Sequence, residues 1–273
     1  MAEPVPQVVR DLLWVVNSPA FCEGPAVEPS ASLQIDQIDQ EDLLRFMRDR
    51  SERRVGRHFE HLVHYWLSEI RRVEMIGTGI QLREGKRTVG EIDFLYRDEE
   101  GRLTHCEATV KFFLHLPRIG ASDFPGPNAT DDYERKTNRL FDHQLEVSRV
   151  HDLGIERRRA FVKGMAFYRD DLAQSVARPP YMPMEHGRGR WIRESELDGL
   201  GAGDMSGGVI CSKPHWLAPA VHLNALGPDQ LQSAVQEHFT VGKAHPIMLT
   251  LFKGNALSPT AEILFVVPDR WPG

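Results

Sequence analysis

Hydrophobic residues recur at helical spacing in the N-terminal part of the chain. Apolar residues return every three or four positions from Val8 to Val16, which predicts a helix that ends before Pro19. A loop rich in Pro, Gly and Ser follows over residues 22–38, and a second helix is predicted to begin near Glu41. A longer helix is predicted over residues 52–72, because its apolar residues form one continuous stripe.

The pattern changes to alternation in the middle of the chain. Residues 73–83 form a short β-branched segment that predicts a strand. Residues 89–113 predict two strands joined by a turn, with Gly101 supplying the bend.

A helix and a further strand are predicted after this hairpin. A loop rich in Pro and Gly should end at Thr130 or Asp131, either of which would cap a helix over residues 131–150. Residues 158–169 then predict a strand. The predicted order is helix, three strands, helix, strand.

The last hundred residues are less regular. Loop-like composition covers residues 177–191 and 198–209, a helix is predicted over residues 227–239, and strand-like cores lie within residues 209–219, 245–252 and 261–272. We therefore predict three regions: an N-terminal helix and loop at residues 1–40, a core at 41–170, and a C-terminal α+β extension at 171–273 that packs on the core as one unit.

Composition limits the classes of function. The formal net charge of -6 argues against an overall electrostatic grip on nucleic acid, and the arginines between Arg45 and Arg57 are typical of a solvated helix face. Three widely spaced cysteines without a CxxC pair indicate neither a disulfide framework nor a zinc ribbon. With no signal pattern and no apolar run of ~18 residues, we expect a cytoplasmic protein without a membrane span.

One face of the predicted hairpin carries charged residues. On the first strand Glu91 and Asp93 point away from the apolar side chains. On the second strand His105, Glu107, Thr109 and Lys111 share one face. Two carboxylates and a lysine on adjacent strands indicate either a solvated face or a metal site.

The order of elements, with acids on the middle hairpin, resembles the PD-(D/E)XK nuclease superfamily. The residues that carry this resemblance are Glu60 on the long helix, Asp93, Glu107 and Lys111. It implies an α/β fold with a restriction-endonuclease-like α-β-β-β-α-β core, in which a mixed sheet is flanked by helices. N-terminal helices and a β-rich C-terminal extension would be added to that core.

The chain departs from the superfamily pattern at one point. The last acid and the lysine of the superfamily are two residues apart, whereas Glu107 and Lys111 are four apart and therefore separated by roughly 13 Å along a strand. Either the acid has moved from the position of Thr109, or the lysine is displaced. A bulge would shorten the gap.

A closer resemblance covers nearly the whole chain. The segments "VRDLLWVVNSP", "GRHFEHLVHYWL", "GEIDFLYRD", "EATVKFFL" and "FVVPDRWP" resemble the bacterial family called domain of unknown function 1853 (DUF1853). Members of that family are assigned to the PD-(D/E)XK fold by similarity, and their biochemical activity is not established. The resemblance therefore indicates a family more specifically than a function.

These resemblances imply a metal-dependent nuclease that acts on DNA or RNA. The metal, Mg²⁺ or Mn²⁺, would be held by Asp93 and Glu107 with support from Glu60, and Lys111 would orient the attacking water or stabilise charge. Possible substrate contacts are Thr109, Asn128 at the helix entry, and Lys136 and Gln144 on the following helix.

Two other interpretations remain open. The fold could serve as a catalytically inactive module that binds nucleic acid or a protein partner, or the charged hairpin face could simply be solvated. The spacing of His58, His61 and His64 drifts around the helix, and no HExxH motif or cysteine partner accompanies them. These three are therefore predicted to be surface or edge histidines. The sequence does not predict an oligomeric state.

Overall fold

The computed structural model describes residues 4–50, 52–118, 121–150, 153–169, 176–199, 205–241, 245–254 and 260–272. Its helices are α1 (Gln7–Asn17), α2 (Gln40–Arg48), α3 (Val55–Tyr65), α4 (Tyr133–Arg139), α5 (Val147–Val150) and α6 (Pro228–Thr240). Its strands are β1 (Glu74–Glu84), β2 (Arg87–Arg97), β3 (Leu103–Leu114), β4 (Leu116–Arg118), β5 (Ala121–Asp123), β6 (Arg157–Tyr168), β7 (Gly187–Arg193), β8 (Met205–Cys211), β9 (Ile247–Lys253) and β10 (Thr260–Val267). The region boundary predicted at residues 170 and 171 lies outside the described residues, as does part of the loop predicted over residues 198–209.

Eight strands form one mixed sheet in the order β1-β2-β3-β6-β7-β10-β9-β8. The pairs β1–β2, β2–β3, β10–β9 and β9–β8 are antiparallel, whereas β3–β6, β6–β7 and β7–β10 are parallel. Strands β4 and β5 form a separate small hairpin. The prediction of a mixed α/β fold is confirmed.

Helices cover both faces of the sheet. On one face Leu12 of α1 and Phe59 of α3 pack with sheet residues such as Phe265 in the largest hydrophobic cluster. On the other face α4 and α6 cover separate clusters, and Val147 of α5 completes a third near β1 and β2. Neighbouring residues of β10 alternate between the two faces, as the period of a strand requires.

The β2–β3 hairpin forms where the alternating pattern predicted it. The carboxylate of Asp98 accepts hydrogen bonds from the backbone N–H groups of Glu100 at 3.1 Å and Arg102 at 2.9 Å. Gly101 has φ +77°, a left-handed conformation that favours glycine, so its predicted role in the bend is confirmed.

The helix predicted over residues 131–150 is interrupted and starts differently. Asp132, rather than Thr130 or Asp131, caps α4, because its carboxylate accepts the backbone N–H of Arg135 at 2.9 Å. The chain then continues through a wider π-helical turn, Leu140–Gln144, before α5 begins. In the part of the chain that the structure describes, no helix is long and apolar enough to cross a membrane.

Candidate functional site

A gap opens between β2 and β3 beyond their shared turn. Backbone pairing that starts at the turn stops at Phe94 and Cys106. The Asp93 carboxylate accepts the next backbone N–H, that of Ala108, at 2.9 Å. Since β2 continues along β1 while β3 continues along β6, the two strands leave a cleft with Asp93 at its apex.

Glu107 lies at the same point on β3 and is almost fully buried, with 1% of its surface exposed. Its Oε1 is bonded to Nε2 of His105 at 2.7 Å, and its Oε2 accepts Nε2–H of Gln144 at 2.9 Å. These two contacts hold the carboxylate in one orientation. The interpretation of this face as solvated is therefore wrong for Glu107.

A chain of hydrogen bonds supports Glu107 from behind. An ionised carboxylate only accepts, so the proton in its bond with His105 belongs to Nε2 of the imidazole. The Nδ1 atom of His105 lies 2.9 Å from Oγ of Ser148, and that oxygen accepts Nε–H of Arg158 at 3.1 Å. The Ser148 hydroxyl hydrogen is then free for Nδ1. This chain of contacts connects Arg158 to Glu107 through Ser148 and His105.

The carboxyl group of Asp93 lies in a strongly negative environment. Burial raises its pKa, and the negative charges of Glu107, Glu60 and Glu91 raise it further. The hydrogen bond from Ala108 opposes this effect only in part, so the pKa of Asp93 is raised to about 8. A bound cation would offset the negative charge that surrounds the Asp93 carboxyl group.

The cleft beside Asp93 has a volume of about 320 Å³. It is lined by Arg57, Glu60, His61, His64, Thr78, Gly79, Gln81, Glu91, Asp93 and Phe94. Helix α3 contributes Glu60 to the same cleft as Asp93. The Oε2 atom of Glu60 accepts a hydrogen bond from Nη1–H of Arg57 at 2.6 Å.

Lys111 does not reach the same point of the sheet as Glu107. The register of β3 on β6 advances one residue at a time from Glu107, opposite Ala160, to Lys111, opposite Gly164. No bulge shortens the spacing, so about 13 Å of strand separates the two residues. Burial lowers the pKa of Lys111, and the nearby Lys136 lowers it further.

The predicted substrate contacts line two cavities that share Lys111. A cavity of about 230 Å³ is lined by Thr109, Lys111, Lys136 and Gln144 among others. Lys136 also pairs with Asp131 at 3.3 Å. Gln144 therefore joins this cavity to the buried Glu107.

A second cavity, of about 300 Å³, lies on the other side of Lys111. Asn128 lines it, together with the cationic residues Arg53, Arg54 and Lys213. Arg53 and Arg54 belong to the segment interpreted above as a solvated helix face, and both are exposed as well as bordering this cavity.

The histidines of α3 have different surroundings from one another. His58 is buried, so its prediction as a surface or edge residue is wrong, and its Nε2 lies 3.0 Å from the Asp11 carboxylate. His61 and His64 line the cleft beside Asp93. Burial is the main cause that lowers the pKa of both, and the charge of Arg50 adds to it.

Sequence reasoning missed several members of the site. Arg57 and His64 are three and four positions from Glu60 along α3, a spacing that could have indicated a shared surface, whereas His61 is the next residue in the chain. His105 is two residues before Glu107 on the same strand face, which was also a usable signal. Ser148 lies 41 residues beyond Glu107 in the chain and carried no local signal.

Comparisons with known proteins identify a family but no characterised relative. No curated protein and no solved structure matches the chain. The model of the family described as "Domain of unknown function (DUF1853)" matches residues 10–267. The chain therefore belongs to the DUF1853 family.

Proposed function

We propose that this protein is a metal-dependent nuclease that hydrolyses phosphodiester bonds in DNA or RNA. The observation that carries the proposal is the pair Asp93 and Glu107 in the gap between β2 and β3, where burial and neighbouring acids raise the pKa of Asp93 to about 8. A site that concentrates negative charge in this way favours a divalent cation.

The donor atoms suit Mg²⁺ or Mn²⁺. Both ions prefer oxygen ligands, and Mg²⁺ is usually held by one or two carboxylates with water and phosphate oxygens in its other positions. Asp93 and Glu107 would hold the ion, with Glu60 at the edge of the cleft as a supporting ligand. The hydrogen bonds on Glu107 occupy one lone pair of each oxygen and leave others for a metal.

The arrangement of elements supports the same proposal. Helix α3 is followed by β1, β2 and β3, then by α4 and β6, and the four strands are neighbours in the order β1-β2-β3-β6. This order is consistent with the α-β-β-β-α-β core that we propose, in which the acids would lie on the central strands. A similar fold does not establish an activity, so the proposal depends mainly on the acidic residues Asp93 and Glu107.

The position of the lysine distinguishes this site from the superfamily pattern. The contact of Asp93 with Ala108 and the effect of the Glu107 charge on Asp93 support Glu107 as the acid that has kept its place. Thr109 occupies the position two residues later, and Lys111 is the displaced group. Lys111 then acts on substrate phosphate, away from the attacking water.

Cations around Lys111 suit the phosphate backbone of a nucleic acid. Arg53, Arg54 and Lys213 border one of its cavities, and Lys136 borders the other. Because the whole chain has a net charge of -6, the cationic surface is a small part of the protein. Binding would therefore depend on a few phosphate contacts, and the affinity would fall as the salt concentration rises.

Bound metal would polarise the scissile phosphodiester and lower the pKa of the attacking water. Asp93 and Glu107 would position the metal, and the hydrogen bonds from His105 and Gln144 keep the Glu107 carboxylate from rotating. His61 and His64 are neutral bases in the same cleft, since burial lowers the pKa of both, and they can accept a proton from the water. The water oxygen would bond to phosphorus, the bond between phosphorus and the sugar oxygen would break, and the leaving oxygen would take up a proton from solvent, to which the histidine returns the one it accepted.

The test is cleavage of single- and double-stranded DNA and RNA with Mg²⁺ or Mn²⁺. Asp93→Asn and Glu107→Gln should each lower the rate by roughly 100-fold or more, because metal positioning is worth several kcal/mol. Glu84→Gln, at an exposed position on the same sheet, is the matched control and should cleave like wild type. Undiminished cleavage by Asp93→Asn would contradict the assignment.

A second function is favoured by the displaced lysine: a catalytically inactive module that binds nucleic acid. In that case the wild-type protein would bind oligonucleotides without cleaving them, and Lys111→Ala would weaken binding while Asp93→Asn would not. Metal-dependent cleavage that is lost in both acid variants rules this alternative out.

A further inference from the structure

A second cluster of metal-ligating side chains lies outside the cleft beside Asp93. One ligand atom from each of Asp11, His58 and His215 lies within 4.8 Å of the other two. The Asp11 Oδ2 atom is 3.0 Å from Nε2 of His58 and 3.1 Å from Nδ1 of His215. These residues come from α1, α3 and the segment after β8, so the fold has brought together three distant parts of the chain.

The Asp11 carboxylate is oriented by its surroundings. Its Oδ1 accepts Nε2–H of Gln7 at 2.8 Å and the backbone N–H of Ala218 at 3.2 Å, while both histidines face Oδ2. Burial alone would raise the pKa of Asp11, but the hydrogen bonds from His215 and His58 outweigh it and hold the pKa below its ordinary value. A ligating carboxylate that is ionised and fixed by outer partners is a usual feature of metal sites.

The cluster is closed on two sides and open on the third. The side chain of Asp11 is 0% exposed and that of His58 is 6% exposed, whereas that of His215 is 42% exposed. A cation could therefore enter past His215, and solvent could supply a further ligand there.

We propose that Asp11, His58 and His215 form a binding site for one late first-row divalent metal ion, of which Zn²⁺ is the representative. Two imidazoles and one carboxylate are a donor set that such ions favour, and Zn²⁺ often takes three protein ligands and one water. At metal–ligand distances of about 2.0–2.2 Å, tetrahedral ligand atoms lie roughly 3.4 Å apart. The two contacts of 3.0 and 3.1 Å need to open by only a few tenths of an ångström.

Such an ion would fix the position of α3 relative to the C-terminal part of the chain. His58 is two residues before Glu60 on α3, and His215 is two residues after Lys213, which lines a cavity around Lys111. The site is distinct from the acids of the cleft and does not depend on the proposed nuclease function.

The experiment measures binding of Zn²⁺ alone by equilibrium dialysis, and of Co²⁺ by visible absorption, with the full chain. All variants carry Asp93→Asn, so that metal bound in the cleft does not contribute. We expect one equivalent of Zn²⁺ in this background and in the control His222→Ala. With His215→Ala added, the bound metal should be lost, and with Gln7→Leu the affinity should fall roughly 10–100-fold.

His215 is partly exposed, so His215→Ala should fold, and unchanged circular dichroism and an unchanged urea midpoint in chelator would verify this. A rise in the unfolding temperature with Zn²⁺ should occur in the Asp93→Asn protein and disappear when His215→Ala is added. Absence of Zn²⁺ and Co²⁺ binding in the Asp93→Asn protein would overturn the proposal and leave a hydrogen-bonded Asp–His–His cluster. Equal binding after the His215→Ala substitution would overturn it as well.

Discussion

Replacing Asp93 with asparagine should stabilise the metal-free protein, and more strongly as the pH rises. The amide oxygen of asparagine can still accept the Ala108 N–H that Asp93 accepts at 2.9 Å. The substitution removes a group whose ionisation is opposed by its surroundings and by the charges of Glu107, Glu60 and Glu91. A group needed only for folding would give the opposite result, because its loss would destabilise the protein.

The magnitude follows from the raised pKa. The pKa of Asp93 is about 8 in the folded protein, against an ordinary value of 3.8. The folded state therefore binds more protons than the unfolded state between these values, so stability falls as pH rises through this window. At one unit of pKa per 1.36 kcal/mol, the stability lost between low pH and pH 7 is on the order of 4 kcal/mol, because Asp93 ionises in the unfolded chain while it stays largely protonated in the folded protein. Part of that loss is shared with Glu107, so we expect Asp93→Asn to gain about 2 kcal/mol or more, or roughly 5 °C in unfolding temperature.

The assay is urea unfolding of wild type and Asp93→Asn at several pH values between about 5 and 8, in chelator. The difference in free energy of unfolding should grow with pH, while Glu84→Gln, an exposed acid, should match wild type throughout. Addition of Mn²⁺ should stabilise wild type and not Asp93→Asn. If Asp93→Asn is less stable than wild type at about pH 8 without metal, or the difference does not change with pH, the reasoning about the cleft is wrong.

Two further predictions concern the scaffold. Gly189→Ala should lower the free energy of unfolding by about 1–3 kcal/mol, because a Cβ there would lie 2.8 Å from the carbonyl oxygen of Ile263 and overlap the Phe167 ring; an unchanged urea midpoint would contradict this. Lys163 is fully buried and bonded to carbonyl groups at the end of α1, and burial lowers its pKa from 10.5 to about 8. Its buried charge costs stability below about pH 8, and the cost disappears as pH rises toward 10.5, so wild type should gain up to about 3 kcal/mol over Lys163→Met across that window. Unfolding curves of both proteins at about pH 7 and 10 check this, and a constant difference would refute it.

Local patterns carried most of what the sequence could predict. The β2–β3 hairpin was predictable because alternation and a turn glycine act within a few residues. The same alternation put Glu107, Thr109 and Lys111 on one strand face, and the unbroken register of β3 on β6 preserves their spacing. Glu60 could be placed near the hairpin because the stripe on α3 fixes which side of the helix is buried.

Strand β7 shows why other elements were missed. Its sequence, GRGRWIR, has glycine and arginine where an isolated strand would have β-branched residues. Its position between β6 and β10 supplies backbone partners on both sides, and close approach of those neighbours requires Gly187 and Gly189. A propensity argument cannot anticipate a strand whose residues are selected by contacts from distant parts of the chain.

The candidate site shows the same division between local and distant causes. The sequences of β2 and β3 do not indicate where the two strands separate. The hydrogen bond from Gln144 to Glu107 joins residues 37 positions apart. The partner of His58, Asp11, lies 47 positions away, so helical spacing alone misassigned that histidine to the surface.

The placement of β7 has a consequence for how this chain can be divided. Strand β6 has β3 on one side and β7 on the other, and β7 joins it to the last strand of the chain, β10. A protein ended near residue 170 would expose one long edge of β6, a template for aggregation. It would also remove Phe265, whose ring packs 4.6 Å from that of Phe167. Laboratory expression of residues 41–170 alone should therefore yield insoluble protein.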